Sequence, residues 1–450
     1  MSTHQFTTRT AIAIVVANMI GTGVFTSLGF QLVDIQSTFV LMMLWLVGGV
    51  TALCGALTYA ELGSSLPRSG GEYNFLSEIY HPAAGFISGW ISATVGFAAP
   101  TALAAMTFGA YLEASISGLS AAVMASLLVI TLTLVHAFSH AASGGVQSVF
   151  TVLKVLLIIL FVGLVAFSVE NPQPVTLLPA AGDGTLLISS AFAVSLIYVN
   201  YAYTGWNAAT YIINEVEEPQ RSMPVILFTG TATVLVLYLL LNYTFLYAAP
   251  MAEMAGKIEI GVIVAQFAFG ETGGMIMGIV LATLLISTVS AMVIAGPRVL
   301  QVIGEDFTLF RLLSGKNANQ IPMIAIMTQS AVTLCFILTS TFESVLVFSG
   351  FVMGVNTFFA VAGVFLLRRR LAASELEDTE KSSYRTSYRT WGYPVTPLIY
   401  LGLMAWTLIY ILINRPEEGW AGLGMIVAGG LLYLLSEKLG KAKAGDNGLG

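Results

Sequence analysis

The chain has 450 residues, of which 56% are hydrophobic and only 9% are charged. Soluble domains carry about 25% charged residues, so this composition excludes a soluble protein and predicts a chain that mostly faces lipid or other helices. The net charge of −6 and the lack of a basic stripe outside the loops argue against nucleic-acid binding. The two cysteines both lie in apolar runs, which excludes a disulfide-rich secreted scaffold.

Twelve apolar stretches are each long enough to cross about 30 Å of hydrocarbon as a helix. In chain order they lie at about 10–32, 38–64, 83–112, 119–138, 144–168, 186–213, 223–249, 273–302, 322–341, 343–367, 395–413 and 420–436. The first is longer than the apolar core of a signal peptide and shows no convincing cleavage site, so we interpret it as a retained span. Helices are expected because every backbone polar group in lipid must be satisfied within its own segment.

The distribution of Lys and Arg predicts the orientation of these spans. With both termini inside, 15 of the 18 Lys and Arg residues lie in inner loops, and two, Lys257 and Arg415, lie in outer loops. The remaining one, Lys154, lies within the fifth span. This asymmetry follows the positive-inside rule. It predicts a multi-pass protein of the cell (inner or plasma) membrane with both termini cytoplasmic.

The first and sixth spans both contain a predicted break. Gly21 and Gly23 each weaken the first helix by about 1 kcal/mol relative to alanine. The sixth span is polar and aromatic around Gly205, which lies 184 residues and five helices after Gly21. A second five-helix unit enters the membrane from the opposite side, and paired breaks in inverted halves point to a transporter binding site. Close helix packing is the alternative for the first glycine pair considered alone.

Three motifs carry a family resemblance: 19–25 (MIGTGVF) in span 1, 67–73 (PRSGGEY) after span 2, and 202–207 (AYTGWN) in span 6, followed by 219–224 (PQRSMP). They resemble the amino acid–polyamine–organocation permeases, and the third resembles the L-type amino acid transporter branch. The resemblance implies an all-α polytopic membrane protein that transports amino acids by alternating access. It implies two inverted five-helix repeats, 10–168 and 186–367, with helices 11 and 12 at 395–436, in one transmembrane domain, 1–450.

The chemistry of the two breaks suits an amino acid ligand. The exposed N–H groups of Gly21, Thr22 and Gly23 begin the second half-helix of span 1, whose partial positive charge favours a carboxylate. We therefore expect Gly23→Leu to abolish transport while the protein still folds. The carbonyl groups freed by the breaks would accept hydrogen bonds from an ammonium group; they belong to Ile20, Tyr201, Ala202 and Thr204. Gly205 allows the sixth span to open at this point.

The side-chain part of the site favours neutral amino acids. Spans 1, 3, 6, 8 and 10 contain no deep Asp or Glu, so a cationic side chain or a polyamine would have no counter-charge. Thr204 stands where L-type members usually have glycine, which narrows the expected pocket. Asn207 and Asn356 are intramembrane amides that either contact the substrate or bridge helices. A carrier of cationic amino acids or polyamines is the alternative.

The resemblance also implies gating residues. Tyr201 aligns with the gating aromatic residue of the family, with an ordinary packing tyrosine as the alternative. Glu61 and Arg68 flank the inner mouth of span 2, where such residues help to close the inner gate of family members. Solvated interfacial charges are the alternative for this pair.

Lys154 lies roughly 14 Å into span 5, where a lysine costs about 2.5–3.5 kcal/mol on insertion scales. Some family members carry a lysine here, where sodium-coupled relatives of the same fold bind a cation. Its ammonium group would then face span 1 near Ala17 and Ile20, and hydroxyl groups of span 8 would complete the shell; the candidates are Ser287, Thr288 and Ser290. This predicts sodium-independent transport, by exchange or by coupling to protons.

Other functional classes lack their sequence signals. No catalytic motif, metal motif or cofactor motif is present, and the pair His136 and His140 has no third ligand nearby. A nutrient sensor built on a transporter fold is the closest rival, but such sensors carry large soluble extensions. The expected partners are a small neutral amino acid, a proton in the coupled case and the lipid membrane. No obligatory protein subunit is expected, because Cys54 and Cys335 lie within spans and offer no external disulfide partner.

Overall fold

The computed structural model describes residues 6–138, 144–317, 321–376 and 388–446, so His140 lies outside the described residues. These residues form helices, with one isolated β-bridge and no longer strand among them. The α-helices are α1 (Thr8–Met19), α2 (Gly23–Asp34), α3 (Thr38–Ser65), α4 (Glu72–Ile79), α5 (Pro82–Ile91), α6 (Ala98–Ser115), α7 (Ala121–Phe138), α8 (Gly144–Ser168), α9 (Asp183–Leu187), α10 (Ser190–Tyr203), α11 (Pro219–Ala248), α12 (Met251–Met254), α13 (Ile260–Asp306), α14 (Met323–Thr339), α15 (Phe342–Leu376), α16 (Val395–Asn414) and α17 (Pro416–Asp446).

Local sequence explains where several of these helices begin. The hydroxyl groups of Ser37 and Ser189 accept hydrogen bonds from the backbone N–H groups three residues later, which caps α3 and α10. Pro82 and Pro219 occupy the first turns of α5 and α11, where a missing N–H group costs no helical hydrogen bond. Gly270, with φ of +75°, kinks α13 near its start.

Within the described residues, nine helices are long and apolar enough to cross a membrane. Two shorter apolar helices cover Val152–Ser168 and Met323–Thr339, and the 14-residue α10 precedes the break in span 6. The prediction of an all-α polytopic membrane protein is confirmed. The count of twelve spans and the division into inverted repeats remain predictions.

Both predicted breaks are present. The segment 20–22 separates α1 from α2, and the chain leaves helical geometry after Tyr203 before a 3₁₀-helix, Ala208–Glu215. Gly205 has φ of +106°, a conformation that side chains rarely adopt, and a Cβ atom there would lie 2.8 Å from the backbone of Asn18. The two breaks therefore meet directly in space.

The helices around the breaks form two packed groups. In one, α3 packs along α11, α10 packs on α2 and α3, and α1 packs on α11. In the other, α6 packs along α13, and α7 packs on α6 and α14. A short π-helix, Ser92–Gly96, interrupts span 3 between α5 and α6, and such bulges are frequent at functional sites.

The segment before α1 is joined to the segment after span 6. The Phe6 N–H group donates to the Glu215 carbonyl at 2.5 Å, and the Glu217 N–H group donates to the Phe6 carbonyl at 3.1 Å. These two bonds form the isolated parallel bridge between Phe6 and Val216. The N-terminal end of span 1 and the C-terminal end of span 6 are thus tied together by main-chain hydrogen bonds.

Candidate functional site

The break in span 6 lines a cavity that we call the central cavity. Tyr201, Thr204, Gly205 and Asn207 form one wall of it, and Asn356 of α15 forms part of another. Helix α16 also contributes to the lining, with Tyr400 and Met404. The C-terminal part of the chain therefore forms part of the cavity wall, although the sequence motifs stop just after span 6.

The break in span 1 lines a second cavity, which we call the lysine cavity. Ile20, Gly21 and Thr22 face it together with Lys154 of α8 and Thr288 of α13. The two breaks were expected to share one site, but in this structure they line different cavities. The reason is a close helix contact: a Cβ atom on Gly23 would lie 2.5 Å from Cα of Ala202, so α2 and α10 touch where both residues are smallest.

The expected backbone donors are only partly free. The Gly21 N–H group donates to the Met19 carbonyl at 2.8 Å, so the prediction that it is available to a carboxylate is wrong for this conformation. The N–H groups of Thr22 and Gly23 donate to no group in the described part of the chain. They remain the candidate donors at the N-terminus of α2.

The hydroxyl group of Tyr238 of α11 lies within hydrogen-bond distance of two carbonyl oxygens beside the breaks. Its hydroxyl group lies 2.5 Å from the Met19 carbonyl oxygen and 3.0 Å from that of Ala202. The Tyr201 carbonyl accepts from the Thr204 N–H group at 2.9 Å. Each carbonyl oxygen has a second lone pair, so Tyr201 and Ala202 keep acceptor capacity for an ammonium group. No sequence signal distinguished Tyr238 from other apolar-helix tyrosines.

A buried carboxylate lies in the wall of the central cavity, which corrects the expectation that no acid would be near. Glu72 is 1% exposed and accepts hydrogen bonds from Tyr59 at 2.9 Å, Asn207 at 2.5 Å and Tyr211 at 2.6 Å. It comes from the loop after span 2, so a search of the spans alone could not find it. The glycines that precede it in the 67–73 motif were the available signal.

The turn before Glu72 requires those glycines. Gly70 and Gly71 have φ of +126° and +54°, and a Cβ atom on Gly71 would lie 2.6 Å from the ring of Tyr211. The turn delivers Glu72 as the first residue of α4, directly against the 3₁₀-helix that follows span 6. The motif thus has a structural reason in this fold.

Of the three hydroxyl groups named as candidate partners of Lys154, the structure places one, that of Thr288, in contact with it. Its Nζ atom donates to Oγ1 of Thr288 at 2.7 Å. Ser290 instead bonds to Nε2 of His136 at 2.8 Å, and the buried Ser287 hydroxyl has no partner among the described residues. Ile20 lines the lysine cavity, whereas Ala17 lies a turn earlier in α1 and outside its lining. Helical periodicity explains this, since neighbouring residues on α13 face different helices.

A sequence model described as amino acid permease matches residues 6–434. The chain belongs to the amino acid permease family. It is similar to the large neutral amino acids transporter small subunit 2 of Rattus norvegicus, with 26% identity over 94% of this chain and 79% of the relative. It is also similar to the b(0,+)-type amino acid transporter 1 of Mus musculus, with 27% identity over 79% of this chain and 74% of the relative. The cystine/glutamate transporter of Homo sapiens is 24% identical over 79% of this chain and 72% of the relative.

One of the two predicted inner-gate residues of this permease, Glu61, is held by an ion pair with a later helix. Glu61 is buried and forms a two-bond ion pair with Arg368 of α15, at 2.7 and 2.8 Å, whereas Arg68 is exposed. The N–H and hydroxyl groups of Thr390 also donate to Glu61, at 2.6 and 2.5 Å. Arg368 further lies 3.6 Å from the ring centroid of Tyr393. The structure thus pairs Glu61 with α15, and the gating roles of Glu61 and Arg68 remain predictions.

The permease also has a polar cluster on the side predicted to be outer. The Tyr198 hydroxyl group donates to Glu343 at 2.6 Å, and Arg415 contacts both of these residues. Phe30 of α2 packs on Tyr198 and stacks on Phe342. Arg415 lies between α16 and α17, so the C-terminal helices contribute to this cluster. In the described residues, no group of three His, Cys, Asp or Glu side chains is placed to hold a metal ion.

Proposed function

We propose that this permease is a carrier that moves neutral L-amino acids across the cell membrane by alternating access, without sodium. The observation that carries the proposal is the direct meeting of two broken helices, at Gly23 with Ala202 and at Gly205 with Asn18. Irregular backbone at this depth is tolerated only where it lines a cavity, and both breaks do. The family match and the transporters among its relatives support the same class of function.

The proposed ligand contacts are the backbone N–H and carbonyl groups at the breaks that still have hydrogen-bonding capacity. The substrate carboxylate would bind the Thr22 and Gly23 N–H groups at the N-terminus of α2. The ammonium group would bind the second lone pairs of the span 6 carbonyls, with Ile20 opposite. Because α2 and α10 touch in this structure, binding both ends requires α2 and α10 to separate, which is a movement that alternating access provides.

Neutral amino acids remain the preferred substrate class although Glu72 lies in the cavity wall. Three protein donors already use three of the lone pairs of this carboxylate, and 1% exposure leaves it little surface for a cationic side chain. One relative has a name that states large neutral amino acids, whereas the names of two others state b(0,+)-type amino acids and cystine/glutamate. Arginine, lysine and putrescine are therefore expected to compete poorly against alanine, serine, leucine and phenylalanine.

Lys154 supports the sodium-independent part of the proposal. Its ammonium group lies beside the break in span 1 and bonds to Thr288 of α13, so it connects α8 to α13 across the lysine cavity. A fixed positive charge in this place would repel a sodium ion. Exchange and proton-coupled uptake both remain compatible with it.

The experiment that tests the proposal is uptake by proteoliposomes that contain the purified chain alone. Radiolabelled amino acids are offered with and without internal amino acid, with sodium or potassium outside, and with or without a pH gradient. Saturable uptake in potassium supports the proposal, and a requirement for internal substrate indicates exchange. Binding without uptake would indicate a sensor, and activity only with an added second subunit would refute our proposal that the chain acts alone. Proteolytic mapping of the termini tests their proposed cytoplasmic location.

A further inference from the structure

Glu72 has no assigned role in the proposed mechanism, yet its buried carboxylate accepts three hydrogen bonds. Its two carboxylate oxygen atoms are shared among donors from three parts of the chain: Tyr59 of α3, Asn207 at the break, and Tyr211 of the following 3₁₀-helix. Tyr400 of α16 is the other titratable group near it. None of the ion pairs found in the described ranges includes Glu72.

The carboxylate determines which way the Asn207 side chain faces. A carboxylate only accepts hydrogen bonds, so Asn207 must present Nδ2 to Glu72, and this atom also lies 3.4 Å from the Tyr211 hydroxyl group. The Oδ1 atom of Asn207 then lies at the other end of the planar amide group and faces away from Glu72. Asn207 itself lines the central cavity beside Thr204 and Gly205.

We propose that Glu72 is a positioning residue that holds Asn207 with Oδ1 toward the central cavity, where this oxygen atom accepts a hydrogen bond from the substrate ammonium group. The inference rests on the proposed function. The negative charge of Glu72 polarises the amide and strengthens its acceptor oxygen, as charge-assisted hydrogen bonds in series do. Tyr59 and Tyr211 occupy the remaining directions and keep Glu72 from rotating away.

This arrangement selects for a group that carries hydrogen-bond donors and positive charge. A deaminated analogue, which has the same skeleton without the ammonium group, gains nothing from Asn207. The ratio of affinities between an amino acid and its deaminated acid therefore reports on the Glu72–Asn207 pair. A role in folding alone would change both affinities together.

The test uses purified full-length protein and binding competition with L-alanine against propionate and L-leucine against 4-methylpentanoate. For Glu72→Gln we expect amino acid affinity to fall about tenfold, while affinity for the deaminated acid changes less than twofold. The double variant Glu72→Gln with Asn207→Asp exchanges charge and amide, and should restore the ratio to within about threefold of wild type.

Thermal stability of each variant is measured in parallel, with Glu253→Gln at an exposed position of α12 as the carboxylate control. An unchanged ratio in Glu72→Gln, or an equal loss of both affinities, would overturn the inference. If Glu72→Gln does not fold, Asn207→Ala is tested instead, and we expect it to lower the ratio of amino acid affinity to deaminated-acid affinity. An unchanged ratio in Asn207→Ala would also overturn the inference. Wild-type protein that binds neither amino acid would instead refute the proposed function.

Discussion

Alanine at Gly23 and alanine at Gly21 make a matched pair of small changes two residues apart in the same break. A Cβ atom at position 23 would lie 2.5 Å from Cα and 2.8 Å from Cβ of Ala202, and backbone atoms cannot rotate aside. A Cβ atom at position 21 would have the Met19 carbonyl oxygen as its nearest neighbour, at 4.0 Å. The first change forces α2 and α10 apart, and the second fills open space.

The expected magnitude follows from these contacts. Overpacking a tight contact costs about 1–3 kcal/mol, and alanine regains up to about 1 kcal/mol over glycine inside a helix. Gly23 is the first residue of α2, so little of that propensity gain applies. We expect Gly23→Ala to destabilise the protein by about 1–2 kcal/mol and Gly21→Ala to change stability by less than about 0.5 kcal/mol. The sequence-based expectation that Gly23→Leu still folds is replaced by a larger loss of stability.

The assay combines thermal unfolding in detergent with proteoliposome uptake for both alanine variants. Gly23→Ala should unfold at a lower temperature and transport poorly, whereas Gly21→Ala should unfold like the wild type. A Gly23→Ala protein with wild-type stability would show that α2 and α10 are not in contact in the populated state, and the packing argument would fail.

Lys154→Ala should abolish uptake while substrate binding changes less than threefold, since it removes the tie to α13 but no proposed ligand contact; binding lost in step with uptake would contradict this. Thr204→Gly should widen the central cavity and raise uptake of phenylalanine relative to alanine, as measured in one competition series; an unchanged ratio would remove Thr204 from the cavity wall. Arg368→Ala leaves the buried Glu61 without its cation and should cost about 3–5 kcal/mol of unfolding free energy. Arg68→Ala, at an exposed position, should cost less than about 0.5 kcal/mol, and equal losses would refute the assigned pairing.

Features that depend on local sequence were predictable. The breaks at Gly21 and Gly205 follow from glycine and polar residues inside apolar spans, and the structure has both. The proximity of Lys154 to Thr288 followed from the cost of a charge in the membrane combined with the family resemblance. The family itself was predictable from three short motifs.

Features that depend on which elements meet were not predictable in this way. Glu61 and Arg368 are 307 positions apart, and no periodicity indicates that α15 reaches the end of α3. Glu72 begins α4 between predicted spans 2 and 3, so a count of acids within the spans missed this carboxylate beside the break in span 6. The contact of Gly23 with Ala202 also depends on how closely α2 and α10 approach each other. Because of this contact, the two breaks line separate cavities instead of the single site that was predicted.

The bridge between Phe6 and Val216 has a consequence for how the protein moves. The ends of α1 and of the span 6 exit are held by two main-chain hydrogen bonds, so neither can swing outward without either carrying the other or breaking the bridge. Opening on that face is therefore a single hinged displacement of paired segments rather than two independent ones. The Phe6 and Glu217 amides should therefore stay protected from deuterium exchange while that face opens, and faster exchange at these two amides on opening would show that the bridge breaks.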